Sequence, residues 1–214
     1  MRYLIAIATV TALTGIASAQ AQSRVTPILR AEIAYTNTGY KETFAPKGYE
    51  VGPGLTAGVL IDKVHEVSIS TGYTKFEGKK NVEVGISDFL AESKQIPVLL
   101  NYRFNYSLDK AAKYTVFAGP TVGFIRETYT STVNDLGGGG NPAQYGTDSA
   151  SKWKLAFGGT VGVKADLGKG WDVSASAQLL KVESNTYVTH SGTDTFAFDG
   201  ATRPSFALSV GYSW

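Results

Sequence analysis

Acid–base catalysis, metal binding and nucleophilic attack need titratable or nucleophilic groups within reach of one another. This chain is poor in the usual ones. It has 2 histidines and no cysteine. His65 lies in a short polar connection and His190 in a long one, so the two fall at opposite ends of the segments that carry them. They cannot share a metal ion or form one dyad. A Ser–His hydrolase site would need His190 beside a serine such as Ser184 or Ser191, and serines are too common here for nearness in sequence to count. Gly137-Gly138-Gly139-Gly140, followed by Asn141-Pro142, lacks the Lys, the Ser/Thr and the following helix of a phosphate-cradling loop, and reads as a loop tip. No residue is singled out as catalytic, cofactor-binding or metal-binding, and no cofactor is implied.

The residues with the most chemical potential are charges that share one alternating phase: Arg30, Glu32, Arg103, Glu127, Lys154, Lys164 and Asp166. They have two readings. One is a charged constriction or gate. The other is a network of paired charges that plugs a stable interior. Charges deprived of water need partners, and both signs are present, so the paired network is favoured, with Arg103 and Glu32 as the expected central pair. The long connections carry Tyr40, Phe44, Tyr49, Phe89, Tyr129, Tyr145, Tyr187, Phe196 and Phe198. Aromatic side chains there suit either recognition of another surface or ordinary packing.

What positions these charges is a period of two, the spacing of a β-strand whose side chains alternate between two faces. Eight such segments fall near residues 27–36, 52–62, 66–76, 92–106, 113–127, 152–167, 171–182 and 205–214. In the first, Leu29, Ala31, Ile33 and Tyr35 oppose Arg30, Glu32 and Ala34. In the last, Phe206, Leu208, Val210, Tyr212 and Trp214 alternate with Ser, Ala and Gly. Three connections are short (62–65, 108–113, 168–170). Four are long (37–51, 77–91, 128–151, 183–203), and the two kinds alternate. Pro53, Pro97 and Pro120 fall inside segments. Because proline removes a ladder donor, bulges are expected at Pro97 and Pro120, and Pro53 is expected at a strand start.

The apolar face carries large side chains and aromatics near the segment ends, whereas the other face is mostly Gly, Ala, Ser and Thr. That distribution suits lipid outside and a narrow lumen inside. No later segment approaches 18 consecutive apolar residues, so no spanning helix is expected. The formal net charge of +2 gives no electrostatic claim on nucleic acid. At the start, Met1-Arg2, an apolar stretch to Ile16 and the small residues Ala17-Ser18-Ala19 have the layout of a secretory signal peptide. The expected organisation is a leader over 1–19, cleaved after Ala19 or Ala21, and one domain over 20–214.

Ile96-Pro97-Val98-Leu99-Leu100-Asn101-Tyr102-Arg103-Phe104, Val116-Phe117-Ala118-Gly119-Pro120 and the aromatic ending carry a resemblance. The chain resembles the small eight-stranded bacterial outer-membrane barrels, the OmpA transmembrane-domain, OmpX and OmpW-like group, over nearly all of its mature length. The resemblance implies an all-β, eight-stranded antiparallel up-and-down transmembrane β-barrel in the cell outer membrane. It implies Phe206, Leu208, Val210, Tyr212 and Trp214 as a C-terminal signal read by the assembly machinery. It implies outer-membrane lipid and lipopolysaccharide as partners, with a surface ligand at the long loops. The role expected is structural or adhesive and non-enzymatic. The alternatives are a narrow channel or a route for small hydrophobic molecules, and a lipid A-modifying enzyme. Unboiled protein from the outer-membrane fraction is expected to migrate differently on a gel from boiled protein. Unchanged mobility, or recovery in the soluble periplasm, is the contrary result.

Overall fold

The structure is a computed structural model that describes residues 24–40, 48–82, 87–109, 111–135, 144–188 and 195–214. The expected leader, the Gly137–Gly140 run, Phe44, His190 and Ser191 lie outside the described residues. Strand β1 (Val25–Asn37) pairs with β2 (Tyr49–Ile61), and β2 with β3 (His65–Gly72). Strand β3 and its continuation β4 (Thr74–Val82) pair with β5 (Ser87–Ser107). Then β5 pairs with β6 (Tyr114–Asp135), β6 with β7 (Gln144–Gly168), and β7 with β8 (Trp171–Val182). A hairpin of β9 (Asn185–Val188) and β10 (Thr195–Phe198) follows. Strand β11 (Ala201–Ser213) pairs with β8 and returns to β1. Because β3 and β4 form one barrel strand interrupted at Tyr73, eight antiparallel strands close into a ring.

Closure fixes the size of the interior. Following Cα partners from Val25 leads through Ile61, His65, Phe104, Ala118, Val161, Ala177 and Phe206, and back to β1 at Tyr35. The circuit returns ten residues from its start, from Val25 to Tyr35. Ten residues of about 3.3 Å against eight strand spacings of about 4.8 Å imply a tilt of about 40°, and a lumen that side chains can fill.

The exterior is apolar through the middle of every barrel strand. Leu208 is 69 % exposed, Val161 57 % and Leu100 49 %, and none of these faces the lumen. On β5 the outward row runs from Ile96 to Tyr106, which at this tilt is about 25 Å, the height of a bilayer's apolar band. Aromatics edge the band. Trp171 meets Tyr212 at 5.1 Å between ring centroids, and Tyr212 stacks on Trp214 at 6.1 Å, on the turn side. Tyr35 stacks on Tyr49 at 4.6 Å on the other side.

On the turn side the connections are tight. Asp62 and Lys63 take positive φ of 51° and 62°, and Gly168, Lys169 and Gly170 take 83°, 54° and 83°. The long connections are a different matter from what the sequence pattern suggests. Most of 77–91 and of 128–151 is strand. The pairing of β4 with β5 runs to Val82–Ser87, and that of β6 with β7 to Asp135–Gln144. The strands continue well past the apolar band, and only their outward chemistry changes.

The proline expectations are overturned. Pro53 lies within β2, paired with Ile33, and not at a strand start. Pro97 and Pro120 cause no bulge. β3 and β4 hold one register against β5, from Thr71–Val98 to Thr74–Gln95. Gly119–Thr160 and Pro120–Gly159 stay in step with β7. Each proline removes a donor on one side and adds no residue. Tyr73 N–H donates to Pro53 O at 3.0 Å, and Pro53 has no N–H to return. Pro97 leaves the ladder lapsed opposite Gly72 and Tyr73, which accounts for the break between β3 and β4. Pro120 does the same opposite Tyr102 and Arg103. Nitroxide labels at Leu100, Val161 and Leu208 are expected to relax strongly with lipid-soluble oxygen, and labels at Ser176 and Ser209 weakly. The reverse ranking would turn the barrel inside out.

Candidate functional site

The inward row of each strand is where the chain's charges gather, and they gather at two levels. Near the turns, the Arg30 guanidinium donates to Glu66 Oε1 at 2.7 Å and to Asp172 Oδ1 at 3.2 Å. Arg103 donates to the same Glu66 oxygen at 3.2 Å and lies 4.9 Å from the centre of the Phe117 ring. Lys164 donates to Asn105 Oδ1 at 3.4 Å. Glu32 stands beside this group, close enough for Arg103 to act on its charge. Two glycines make the room. A Cβ on Gly54 would come within 2.6 Å of Glu32 Cγ, and one on Gly211 within 2.7 Å of both Arg30 Cγ and Asp172 Oδ1. The smallest residue lets a charged side chain lie flat against the facing wall.

At the loop end, Glu127 is fully buried and shared. Lys154 Nζ lies 2.5 Å from Glu127 Oε2, and Arg203 lies 3.5 Å from it. Gln95 donates to Glu127 Oε1 at 3.0 Å, and the hydroxyls of Ser93 and Tyr40 also donate to this carboxylate. Tyr40 follows β1 and turns back into the lumen. Asn37 Oδ1 accepts the Gly39 N–H at 2.7 Å, and Gly39 takes a φ of 71°. That turn brings the Tyr40 hydroxyl to Lys154 (2.9 Å) and Arg203 (3.1 Å), with its ring 5.3 Å and 5.1 Å from the two cations. Arg203 also donates to Gln95 Oε1 at 2.6 Å.

Between the two groups the lumen is lined by small polar residues. Asn101 bridges Ser70 (3.0 Å) and Thr121 (2.9 Å), and Gln178 reaches Thr121 at 3.4 Å. Leu99, Ile125, Ala156, Leu180 and Val182 form a buried apolar patch on the β5–β8 side. A chamber of about 90 Å³ remains open there.

The structure brings Arg30, Arg103 and Lys164 into the turn-side group with Glu32 at its edge, and Glu127 with Lys154 into the loop-side group. Arg103 pairs with Glu66, not with Glu32. Asp166 is corrected. It belongs to neither group but lies exposed at the turn, where its carboxylate accepts the Gly168 N–H at 2.7 Å. It shares the phase of Lys164, but by that point the strand has reached the rim. Glu66, Asp172 and Arg203 are members of these groups that the sequence analysis passed over, and Tyr40, named there only among the loop aromatics, is another. Phase was a usable signal for Glu66 and Asp172. It was not for Tyr40, which lies beyond the end of its strand. Phe206, Leu208, Val210, Tyr212 and Trp214 all point outward.

The profile of the outer membrane protein beta-barrel domain matches residues 9–213. This chain belongs to that family. The outer-membrane β-barrel is similar in structure to OprG from Pseudomonas aeruginosa, at 12 % identity over 90 % of this chain and 97 % of that one, with a TM-score of 0.58. It is similar to a major outer membrane protein from Thermus thermophilus, at 11 % identity over 89 % and 100 % of the two chains, TM-score 0.53. It is also similar to Neisserial surface protein A, at 13 % identity over 88 % and 97 %, TM-score 0.50. These likenesses are of fold. No curated protein matches the sequence. The outer-membrane β-barrel sits in the outer membrane, with its apolar band in lipid.

Removing the carboxylate that two arginines share leaves buried cations short of a partner. Glu66→Ala is expected to cost this outer-membrane β-barrel about 3–5 kcal/mol in urea unfolding from lipid vesicles, followed by tryptophan fluorescence. Asp166→Ala is expected to cost about 1 kcal/mol or less. Equal losses would contradict the placement of Asp166 outside the network.

Proposed function

We propose that this outer-membrane β-barrel is a structural and adhesive protein, a closed scaffold that holds an extracellular sheet against another surface. The observation that carries this reading is the continuation of β4, β5, β6 and β7 beyond the apolar band. From Phe124 to Asp135, β6 rises by about 25–30 Å at the barrel's tilt. Above the band the outward row becomes hydrophilic. Thr128 pairs with Ser151 (2.7 Å), Thr130 with Ser149 (3.2 Å) and Thr132 with Thr147 (3.2 Å), a ladder of cross-strand hydroxyls. Beside it, Lys75 bonds Glu77 and Glu92, which holds its ammonium above the usual lysine range, and Lys94 lies 2.7 Å from Glu92. A polar surface ordered in advance by strand pairing loses little entropy when it binds.

The lumen supports the scaffold role. Two stacked ion groups occupy it, and a conducting path would have to part buried charges that need each other. The rival transport reading draws on the chamber between them. The carboxylates of Glu66 and Glu127 are each held by two cations, which leaves neither placed as a free acid or base.

Two measurements test the proposal together. Cells displaying a variant in which residues 130–149 are replaced by an Asn-Gly turn are expected to lose most of their adhesion to protein- and polysaccharide-coated surfaces, with heat-modifiable migration retained. The refolded full barrel is expected to give no steady conductance in planar bilayers. Steady conductance abolished by Arg103→Gln would favour transport instead. An altered lipid A mass that disappears with His190→Ala would favour an enzyme.

A further inference from the structure

The chamber inside the barrel has two unlike ends. Arg103 lines it toward the turns and Arg203 toward the loops. Both are buried, Arg203 at 2 % exposure, and in both the Nε–H has no hydrogen-bond partner among the described residues. Arg203 spends its other nitrogens on Gln95, Tyr40 and Glu127. A buried charged donor left unpaired is costly, and an acceptor in the chamber would relieve it. At the Arg103 end the carboxylate of Glu32 also lines the chamber and would repel an anion. Among the described residues no carboxylate lines the chamber at the Arg203 end, where Thr36, Thr74 and Ser205 add hydroxyls, and the Glu127 carboxylate 3.5 Å from Arg203 is already shared with Lys154. The body of the chamber is different. Leu99, Ile125 and Leu180 belong to one buried apolar cluster, and Ala34 and Ala207 add apolar surface to the lining.

A guest must therefore carry an anionic acceptor at one end and a short apolar body behind it. The volume limits its size. About 90 Å³ is room for roughly three waters, or for a molecule of about five or six non-hydrogen atoms. We infer that the chamber is a binding site for a short aliphatic carboxylate of propionate or butyrate size, its carboxylate on Arg203 and its chain on Leu99, Ile125 and Leu180. Gly72, Tyr73 and Pro97 belong to the same chamber wall, where Pro97 leaves the pairing with β5 lapsed. The site is independent of the adhesive reading, which rests on the outer sheet.

The test uses the refolded mature barrel in phospholipid nanodiscs with labelled Leu and Ile methyl groups. Sodium propionate is titrated against propionamide, a neutral molecule of the same shape, at constant ionic strength. The expected result is a saturable shift confined to the Leu99, Ile125 and Leu180 methyls, with propionate binding at least tenfold more tightly than propionamide. Arg203→Gln is expected to weaken propionate at least tenfold. Ala207→Leu puts a larger apolar side chain into the chamber and replaces no member of the ion groups. It is expected to abolish the saturable shift while heat-modifiable migration is kept. Equal response to the two probes, no saturable shift (a chamber holding water only), or full binding in Ala207→Leu would each overturn the inference.

Discussion

The whole structure depends on one constraint: lipid gives a peptide group nothing to bond to. An unpaired N–H or C=O in the apolar band costs several kcal/mol, so the last strand must find the first. Pairing of β11 with β1 from Ile28–Ser213 to Thr36–Ser205 meets that demand. Everything else follows from the circuit it completes. Eight strands offset by ten residues define a narrow lumen, and a narrow lumen dictates what can line it. The three prolines show how close to the limit the ladder runs. Each gives up a single donor on one side, with the register kept on the other, so the ring tolerates the loss without opening.

Inside that lumen, charge is admitted only in company. Glu66 accepts from two arginines, and Glu127 from a lysine, an arginine, an amide and two hydroxyls. Such groups add less net stability than their short distances suggest, because their desolvation offsets much of the attraction. Their stronger effect is on register. A slip of one residue would carry Arg30 into lipid and bring an apolar neighbour into the lumen. The glycines at 54 and 211 belong to the same logic, since they exist in the space their charged neighbours occupy.

The eight strands and the direction of their faces were legible in the sequence because a period of two survives in every segment, and because large residues and small ones keep to opposite phases. The inward charges were legible for the same reason. Their partners were not. Whether Arg103 meets Glu32 or Glu66 depends on the stagger between β1, β3 and β5, which is a property of the closed ring and not of any one strand. Tyr40 was invisible as a plug because the turn at Gly39 reverses its direction after the pattern has ended. Asp166 misled because phase says which side a residue takes but not whether the strand is still inside the membrane there. Pro97 and Pro120 misled because a lost donor does not require an extra residue.

The long connections misled for a more instructive reason. A strand was expected to end where its apolar row ends, and here the row ends while the pairing goes on. Outward from Phe124, β6 continues through Arg126, Thr128, Thr130 and Thr132 in the same register with β7. The backbone ladder is indifferent to solvent once both strands are present, whereas the outward side chains are not. Apolar residues therefore mark where the lipid stops, and hydroxyl pairs mark where water begins, along one unbroken pair of strands. A surface built this way inherits the rigidity of the barrel beneath it. The contact proposed for the outer sheet would be made by elements already fixed in place by the ring, which is why the reading of this protein as a scaffold rests on its strands and not on its loop tips.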